Sequence, residues 1–462
     1  MFTVKDIIES TKGEAVILSP KDLAESFSSA SIDTRTINPS ELFVPLKGKN
    51  SDGHEFLDNA LKIAKGAIVD KSYIDKITIN KYDSVSIISV NSTLDALQRI
   101  GSFIRQKQES LKVIGITGSS GKTTTKELAH SVLNEKYSVL KTSGNYNNHI
   151  GLPLCLTRLD NHDIAVMEMG ASAVNDINTL CEIARPNIGI ITNIGAAHLE
   201  GFGSINAVRD TKLELFDYAD TLIVNGDDDF LMEGVLLKNK RLNNKKIITY
   251  GIKSKADITG QITNQDKNAE GFFSVLIKLP NKSELKVKLN IAGTFNVYNA
   301  LAAASVGYIE DVQNAGIVDA LERFKGVDMR MELKTLNGAK VLSDVYNANP
   351  SSVTAALDEL IRIRKNRAIA VLGDMLELGK YSEDEHRKIG KYAALIGIDC
   401  FIGVGNNMKI AAQEFLKYRH NDDVYYAENP LQAKKKLLDI LETSDTILIK
   451  GSRGIRMEEV LK

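Results

Sequence analysis

Short β-branched runs alternate with longer amphipathic stretches along most of this chain. Near its start, 41–46, 67–69 and 85–90 read as strands, and 94–107 repeats its apolar positions at helical spacing. That mixture predicts a small α/β domain. From Val113 the alternation becomes regular, with predicted strands at 113–117, 164–168, 188–193 and 221–225, each followed by a helical pattern. Such a rhythm encodes a parallel sheet flanked by helices. The stretch 257–290 is more polar and alternates in period two, as in SVLIKL and LKVKLN, which predicts an antiparallel excursion before an Ala-rich helix over 296–308. After Gly326 a second strand and helix series begins, with strands at 341–343, 368–372, 401–404 and 446–449. The expected architecture is α/β in three domains, 1–108, 109–325 and 326–462, the last of them Rossmann-like.

Length agrees with that division, because 462 residues at roughly 150 per domain give about three. Lys plus Arg number 58 and Asp plus Glu 59, so a formal net charge of -1 removes any general attraction to nucleic acid or anionic membrane. Three cysteines, Cys155, Cys181 and Cys400, lie far apart without Cys-x-x-Cys spacing, which excludes a disulfide scaffold and a structural zinc site and fits a reducing compartment. Lys5, Asp6 and Glu9 interrupt the opening where a signal peptide needs an apolar stretch. No later run reaches the roughly 18 apolar residues of a membrane span. A cytoplasmic location is expected.

Ligands of open parallel sheets collect at the carboxyl ends of strands, and polar residues recur there: Thr117, Glu168, Asn193, His198, Asp344, Asp374 and Lys450. The sharpest segment is VIGITGSSGKTTT, residues 113–125, a strand, a glycine-bearing turn and a Lys-Thr that opens a helix. Gly118 and Gly121 let the backbone turn its N–H groups inward, the helix N-terminus adds a positive dipole end, Lys122 reaches terminal phosphates and Thr123 can ligate Mg²⁺. The spacing departs from G-x-x-x-x-G-K-[ST], since position 116 is Ile, and reads T-G-x-x-G-K-T. A ligand-free glycine turn is the alternative reading. The central domain is therefore expected to be a P-loop-type mononucleotide-binding sheet.

This loop, with GNYNNHIGLP (144–153), MEMG (167–170) and NIGAAHLE (193–200), resembles the Mur ligases of peptidoglycan synthesis. SIDTR (31–35), ELFVPLKG (41–48) and DGHEF (52–56) look like the UDP-binding domain of the family's later members, and YNANP (346–350), LGDMLELG (372–379) and KGSRG (450–454) resemble the branch that adds a dipeptide. The resemblance implies that Gly118, Ser119, Ser120, Gly121, Lys122, Thr123 and Thr124 bind ATP phosphates. It puts Asn296 and Asn299 near adenine, Arg330 on phosphate and Asp344 on ribose. It implies that Ser31, Asp33, Thr34, Arg35, Lys47, Asp52, Gly53 and His54, with Asn147 and Asn148, hold the UDP-substrate, and that Asn347, Asn349, Asp374 and Glu377 lie near the incoming dipeptide.

The same resemblance makes Thr123, Glu168, His198 and Lys212 ligands of up to two magnesium ions, Lys212 as a carbamate, and makes Lys122, Glu168, His198 and Lys212 the catalytic set. On their own these residues read more plainly. Glu168 can cap the next helix, His198 can be a turn residue, Lys212 a solvated lysine and Arg330 a surface residue. Asn296 and Asn299, three positions apart, share one helix face and can serve as caps. Asp374 and Glu377 have the spacing of a helix N-cap with its reciprocal acid, and Ser382 with Glu385 repeats it before the helix carrying His386.

The implied activity is ATP-dependent amide ligation through an acyl phosphate. Its substrates would be UDP-N-acetylmuramoyl-tripeptide and D-alanyl-D-alanine, with no nucleic acid or membrane partner, and the enzyme would be a monomer. The alternatives are a third-residue-adding Mur ligase, a folylpolyglutamate synthase-like ligase, or a nucleotide-binding module without ligase chemistry. Folylpolyglutamate synthases carry the phosphate loop near the chain start, whereas more than a hundred residues precede it here. Third-residue ligases carry an Asn-Pro or Arg-Pro type motif where this chain has GDMLELG.

Overall fold

The computed structural model describes residues 1–462 apart from 79–80, 83, 242–244, 265–271 and 420–423. Three main sheets, of five, nine and six strands, succeed one another along the chain. By its internal contacts the chain divides into two compact units: Met1–Gly115 with Tyr137–Gly170 and Asn175–Ile188, and Ile116–Lys136 with Ala171–Val174 and Gly189–Lys462.

In the first unit the five-stranded sheet has the order Glu14–Ile17, Ser86–Val90, Gly66–Asp70, Glu41–Phe43, Ser29–Ser31. The first pair is antiparallel and the rest are parallel. Phe43, Leu57, Ala60, Ala67, Val69 and Ile87 form one of its cores. Ser92 caps helix Thr93–Lys107 by accepting from the Asp95 N–H, and Leu97, Ile100 and Ile104 give that helix a buried stripe. Gly101 lies on the stripe because a Cβ there would stand 2.9 Å from the Pro153 side chain, so the glycine sets how closely helix Gly151–Leu156 approaches.

The second unit opens with helix Lys122–Leu133, which follows strand Lys112–Thr117 in the chain and packs on helix Thr294–Ile309. A Cβ on Gly307 would lie 2.5 Å from Val132. Strand Thr221–Asn225 pairs in parallel with Lys246–Gly251, which pairs in parallel with Ile258–Asn264. Phe273–Lys278 and Glu284–Leu289 then add antiparallel strands, the latter alternating exposed and buried residues. The period-two pattern is thus borne out, although 265–271 lie outside the described residues.

The six-stranded sheet has the order Glu332–Leu336, Ala339–Asp344, Thr446–Lys450, Ala368–Gly373, Cys400–Val404, Val424–Ala427, parallel throughout except for its first pair. Both faces are covered, as continuous apolar strands require. Leu342, Ala370, Leu372, Phe401 and Leu448 pack under helices Pro350–Ile363, Ser382–Leu395 and Asn406–Leu416, while Val341, Ile369, Val371, Ile402 and Ile449 pack against Ala433, Leu437, Met457 and Val460. Adjacent strands finish together, with Asp344 beside Lys450 and Lys450 beside Leu372, so three strand ends deliver polar residues to one edge.

Some expectations need correction. The strand predicted over 41–46 stops at Phe43, ahead of Pro45. No helix starts after Asp374; the next is the 3-10 turn Gly379–Tyr381, followed by Ser382–Leu395, where Ser382 is already helical and Tyr381 occupies the cap position without a side-chain bond. Short strands such as Glu14–Ile17, Val139–Lys141 and Val424–Ala427 were not foreseen. No described helix is long and apolar enough to cross a membrane.

Leu448 is fully buried at the centre of the last sheet. Leu448→Ala should lower stability by about 2–5 kcal/mol, read as a fall in melting temperature and urea midpoint. An unchanged midpoint would place that side chain outside the core.

Candidate active site

The phosphate loop is a turn that only glycine can make. Gly118 has φ +148°, and a Cβ there would lie 1.9 Å from Thr192 Oγ1; Gly121 has φ +82°, and its Cβ would lie 2.5 Å from Asn299 Oδ1. The segment 192–195 cradles the turn. Asn193 accepts the Ser120 N–H at Oδ1 (3.0 Å) and donates from Nδ2 to the Ser120 carbonyl (3.0 Å), which Thr192 Oγ1 also reaches at 2.6 Å. Ser119 Oγ accepts from the Gly195 N–H (2.8 Å) and donates to the Gly195 carbonyl (3.0 Å). Gly121 leaves the first turn of helix Lys122–Leu133 without a side-chain cap, so its N–H groups and positive dipole end face outward, as an anion site needs. Lys122 folds its ammonium back onto the Gly118 carbonyl at 2.7 Å. Ser119 and Thr124 are buried.

Beneath the loop, Asn299 Oδ1 accepts from Thr125 Oγ1 (3.1 Å), Asn299 Nδ2 donates to Asn296 Oδ1 (2.8 Å), and Asn296 Nδ2 donates to the Ala292 carbonyl (2.6 Å). Both asparagines are buried inside helix Thr294–Ile309, not at a cap, and their amides shape the loop from below.

The C-terminal series also reaches the loop. Arg330 Nη2 donates to Thr123 Oγ1 (3.1 Å), while its Nε is buried with no hydrogen-bond partner among the described residues. Arg330 is thus no plain surface residue. Asn349 caps helix Pro350–Ile363 in a capping box with Ser352 and donates from Nδ2 to Ser120 Oγ (3.3 Å). Asp344 pairs with Lys450, whose buried ammonium also donates to the Asn347 carbonyl (2.9 Å). Ser452 Oγ accepts the Leu376 N–H (2.9 Å) and donates to the Ala348 carbonyl (3.2 Å), joining loops 344–349 and 374–377. Asp374 caps a helix, but a distant one: it accepts the Met408 N–H at 2.6 Å and the Asn407 N–H at 3.2 Å, at the start of Asn406–Leu416. His386, buried, accepts the Met375 N–H at Nε2 (3.0 Å) and donates from Nδ1 to the Ser382 carbonyl (2.7 Å), so it holds the same loop; its burial pushes the imidazole pKa down.

Glu377 has φ +63° and places Oε2 2.7 Å from His198 Nδ1. Burial holds the His198 imidazole below its ordinary pKa. The charges of Lys122 and Lys212 act in the same direction, and Glu377 opposes them only in part. Lys212 ends helix Ile205–Lys212 and is buried, its ammonium 5.6 Å from the centre of the Phe202 ring; it is not solvated.

In the first unit, Glu168 ends strand Ile164–Glu168 and is buried, with Asn147 Nδ2 donating to its Oε1 at 2.8 Å. Asn148 Oδ1 accepts the Ile150 and Gly151 N–H groups, turning the chain into helix Gly151–Leu156. Ser31 ends strand Ser29–Ser31, and Asp33, Thr34 and Arg35 follow it. Arg35 pairs with Asp33 at 2.6 Å and holds that carboxyl at about 2. Lys47 is exposed and bridges to Asp52 through the backbone, and Gly53 lies so close to Leu46 that a Cβ would meet its N at 2.7 Å. His54 is buried and engaged on both nitrogens, by Asp52 Oδ1 (2.6 Å) and the Asp70 N–H (3.0 Å), so its ring builds this loop.

Sequence reasoning missed Thr192, Gly195, Tyr346 and Ser452. The motifs NIGAAHLE, YNANP and KGSRG contain the last three, yet nothing in a motif shows which members touch the loop.

A phosphate loop at a strand end, met by an arginine and an asparagine from the C-terminal series, defines a nucleotide-using class of protein. Residues 116–307 match the Mur ligase middle domain and 329–453 the Mur ligase, glutamate ligase domain, so the chain belongs to the Mur ligase family. Within it, the chain is 34% identical to UDP-N-acetylmuramoyl-tripeptide–D-alanyl-D-alanine ligase of Bacillus subtilis, covering 100% of this chain and 97% of that protein. It is also 34% identical to the Escherichia coli ligase of that name, over 93% and 92%. Among solved structures it resembles MurF from Acinetobacter baumannii (TM-score 0.86, 28% identity, 100% and 98% covered) and MurF from Thermotoga maritima in complex with ADP (0.79, 28%, 94% and 96%).

Asn299→Ala should destabilise the protein by about 1–3 kcal/mol and weaken its affinity for an ATP analogue, because Thr125 and Asn296 lose a buried partner. Calorimetric titration of the folded variant checks this. Unaltered affinity would mean that the loop does not need support from below.

Proposed function

We propose that this chain is an ATP-dependent ligase that joins D-alanyl-D-alanine to UDP-N-acetylmuramoyl-tripeptide. The observation that carries the reading is the pinned TGxxGKT loop with Arg330 and Asn349 brought to it, in a chain similar over its whole length to ligases of that name. Residues 1–108 would hold the UDP-substrate, 109–325 ATP, and 326–462 the ribose and the dipeptide. The enzyme would act as a cytoplasmic monomer.

A carboxylate is a poor electrophile, and transfer of the γ-phosphoryl group from ATP turns it into an acyl phosphate. The loop N–H groups and Lys122 hold the phosphates, and Arg330 offers Nε and Nη2 to the charge that spreads over the moving group. The amine of D-alanyl-D-alanine then attacks the acyl carbon, the tetrahedral adduct collapses, and inorganic phosphate leaves as the amide forms. Loops 344–349 and 374–377, held by Lys450, Ser452 and His386, would orient that amine.

Among the described residues no group of three or more His, Cys, Asp or Glu converges as a metal cage. In the second unit Thr123 offers a hydroxyl oxygen, and in the first unit Glu168 is a buried carboxylate oriented by Asn147. Each is the kind of oxygen donor that fits magnesium, which takes one or two protein oxygens and completes its shell with water and phosphate. When bound it would neutralise phosphate charge. We assign His198 and a carbamylated Lys212 to a second such ion; a carbamate gives buried Lys212 an anionic oxygen that an ammonium lacks.

Phosphate release should require UDP-N-acetylmuramoyl-tripeptide together with D-alanyl-D-alanine. Release driven equally by a free amino acid would overturn the dipeptide assignment. Lys212→Ala should lose activity and regain part of it with short-chain carboxylic acids, which put an oxygen donor where the carbamate stood. An active, unrescuable Lys212→Ala protein would refute the carbamate.

A further inference from the structure

Arg330 is presented on strained backbone. Its neighbours Met329 and Met331 have φ +63° and +50°, Gly326 has φ +102°, and the Arg330 N–H closes the turn on the Val327 carbonyl at 3.1 Å. Methionine enters the left-handed region only where surrounding structure imposes it, and such outliers gather at sites that must hold one geometry. Met331, buried in the core of the last sheet, is one anchor of the turn. Tyr346 is another, for its N–H donates to the Met329 carbonyl at 3.1 Å.

The side chain is held differently. Among the described residues Arg330 makes no ion pair with a carboxylate, and its hydrogen bond to Thr123 comes from Nη2 alone. What fixes the plane of the guanidinium is the face of Tyr346, whose ring centre lies 4.1 Å from Arg330 Cζ. That distance is well inside the range in which an aromatic face attracts a cation, and stacking on a face occupies none of the N–H groups at the guanidinium edge, of which Nη2 meets Thr123 and Nε meets no partner among the described residues. The Tyr346 hydroxyl makes no hydrogen bond among the described residues, so the ring supplies what the site uses. An acidic partner could hold Arg330 as firmly, but it would cancel the charge that a phosphate needs.

We infer that Tyr346 is the positioning residue for Arg330, holding the guanidinium flat and uncompensated over the phosphate loop for the ATP step. The inference rests on the assignment of Arg330 to ATP phosphate. It is separable from that assignment, because the backbone N–H of residue 346 survives any substitution but proline and only the ring is removed.

The test is a double-mutant cycle on the full-length enzyme: Tyr346→Phe, Tyr346→Trp, Tyr346→Leu, Arg330→Ala and Tyr346→Leu with Arg330→Ala. Each is first shown to be folded by its melting curve, with Tyr346→Met standing in if the leucine variant is not. Phe and Trp should keep kcat/KM for ATP within about twofold of the parent. Leu should lose roughly five- to tenfold, the size of one partly desolvated cation–π contact, with KM for the dipeptide unmoved. In the Arg330→Ala background Leu should add no further loss. A leucine penalty that persists without Arg330, a phenylalanine variant as impaired as leucine, or a harmless leucine beside a crippling Arg330→Ala would overturn the inference. A harmless Arg330→Ala would instead remove the assignment on which it rests.

Discussion

The clasp of Asn193 on Ser120 is the interaction on which this site depends. One side-chain amide satisfies the N–H and the carbonyl of a single residue at the top of the turn, as a neighbouring strand would, in a place where no strand can run. Each such bond is worth only about 1 kcal/mol net, but leaving a buried peptide group unmatched costs more, so the alternatives to this loop conformation are the expensive ones. Fixing Ser120 fixes the path between Gly118 and Gly121, and thereby the direction of the helix N-terminus proposed to receive phosphate. Asn299 below and Ser119 with Gly195 beside it finish a loop whose N–H groups need not reorganise when charge arrives.

The last sheet solves a related problem. Phosphoryl transfer and amide formation require several polar groups from different parts of the chain to be held still at one edge. Parallel strands supply them at their carboxyl ends, and the register puts Asp344 beside Lys450. Asp344 would be costly so close to the core without Lys450, which is itself buried and is satisfied by Asp344 and the Asn347 carbonyl together. Asp374 is similarly matched by the N-terminus of Asn406–Leu416. The charged residues lining the strand ends are therefore spent on one another to build the edge, whereas Arg330 makes no ion pair with a carboxylate among the described residues.

This division explains what the sequence could reveal. Apolar runs such as 368–372 and 446–449 were legible as strands because both faces are buried and the pattern needs no partner to be read. The phosphate loop was legible because its glycines and Gly-Lys-Thr are local. Short strands such as Glu14–Ile17 were not, since their pairing is set by residues far along the chain. Asp374 has the local grammar of an N-cap for its own segment, yet its carboxylate caps a helix more than thirty residues away, which no spacing rule expresses. His54 read as a ligand group, but its ring is consumed by Asp52 and the Asp70 backbone. Arg105, unremarked in the sequence, is buried to cap the carbonyls of Ala184 and Arg185. Motifs identify where chemistry is built; only the packing tells a residue that meets substrate from one that holds its neighbour.

Backbone strain follows the same line. His198, Met329, Met331 and Glu377 all take left-handed conformations without being glycine, and all lie on loops of the second unit that meet the phosphate loop or one another. Two of these loops are tied directly: the Glu200 N–H donates to the Glu377 carbonyl at 3.1 Å, Tyr381 donates to the Gly203 carbonyl at 2.9 Å, and His198 pairs with Glu377. A conformation that costs on the order of 1–3 kcal/mol persists only where its surroundings over-determine it. Here that over-determination comes from paired contacts between the loop that follows strand Ile188–Ile191 and the loop that follows strand Ala368–Gly373. A ligase that must keep a reactive acyl phosphate from water gains from such mutual fixing, because neither loop can relax alone without giving up the contacts that hold the other.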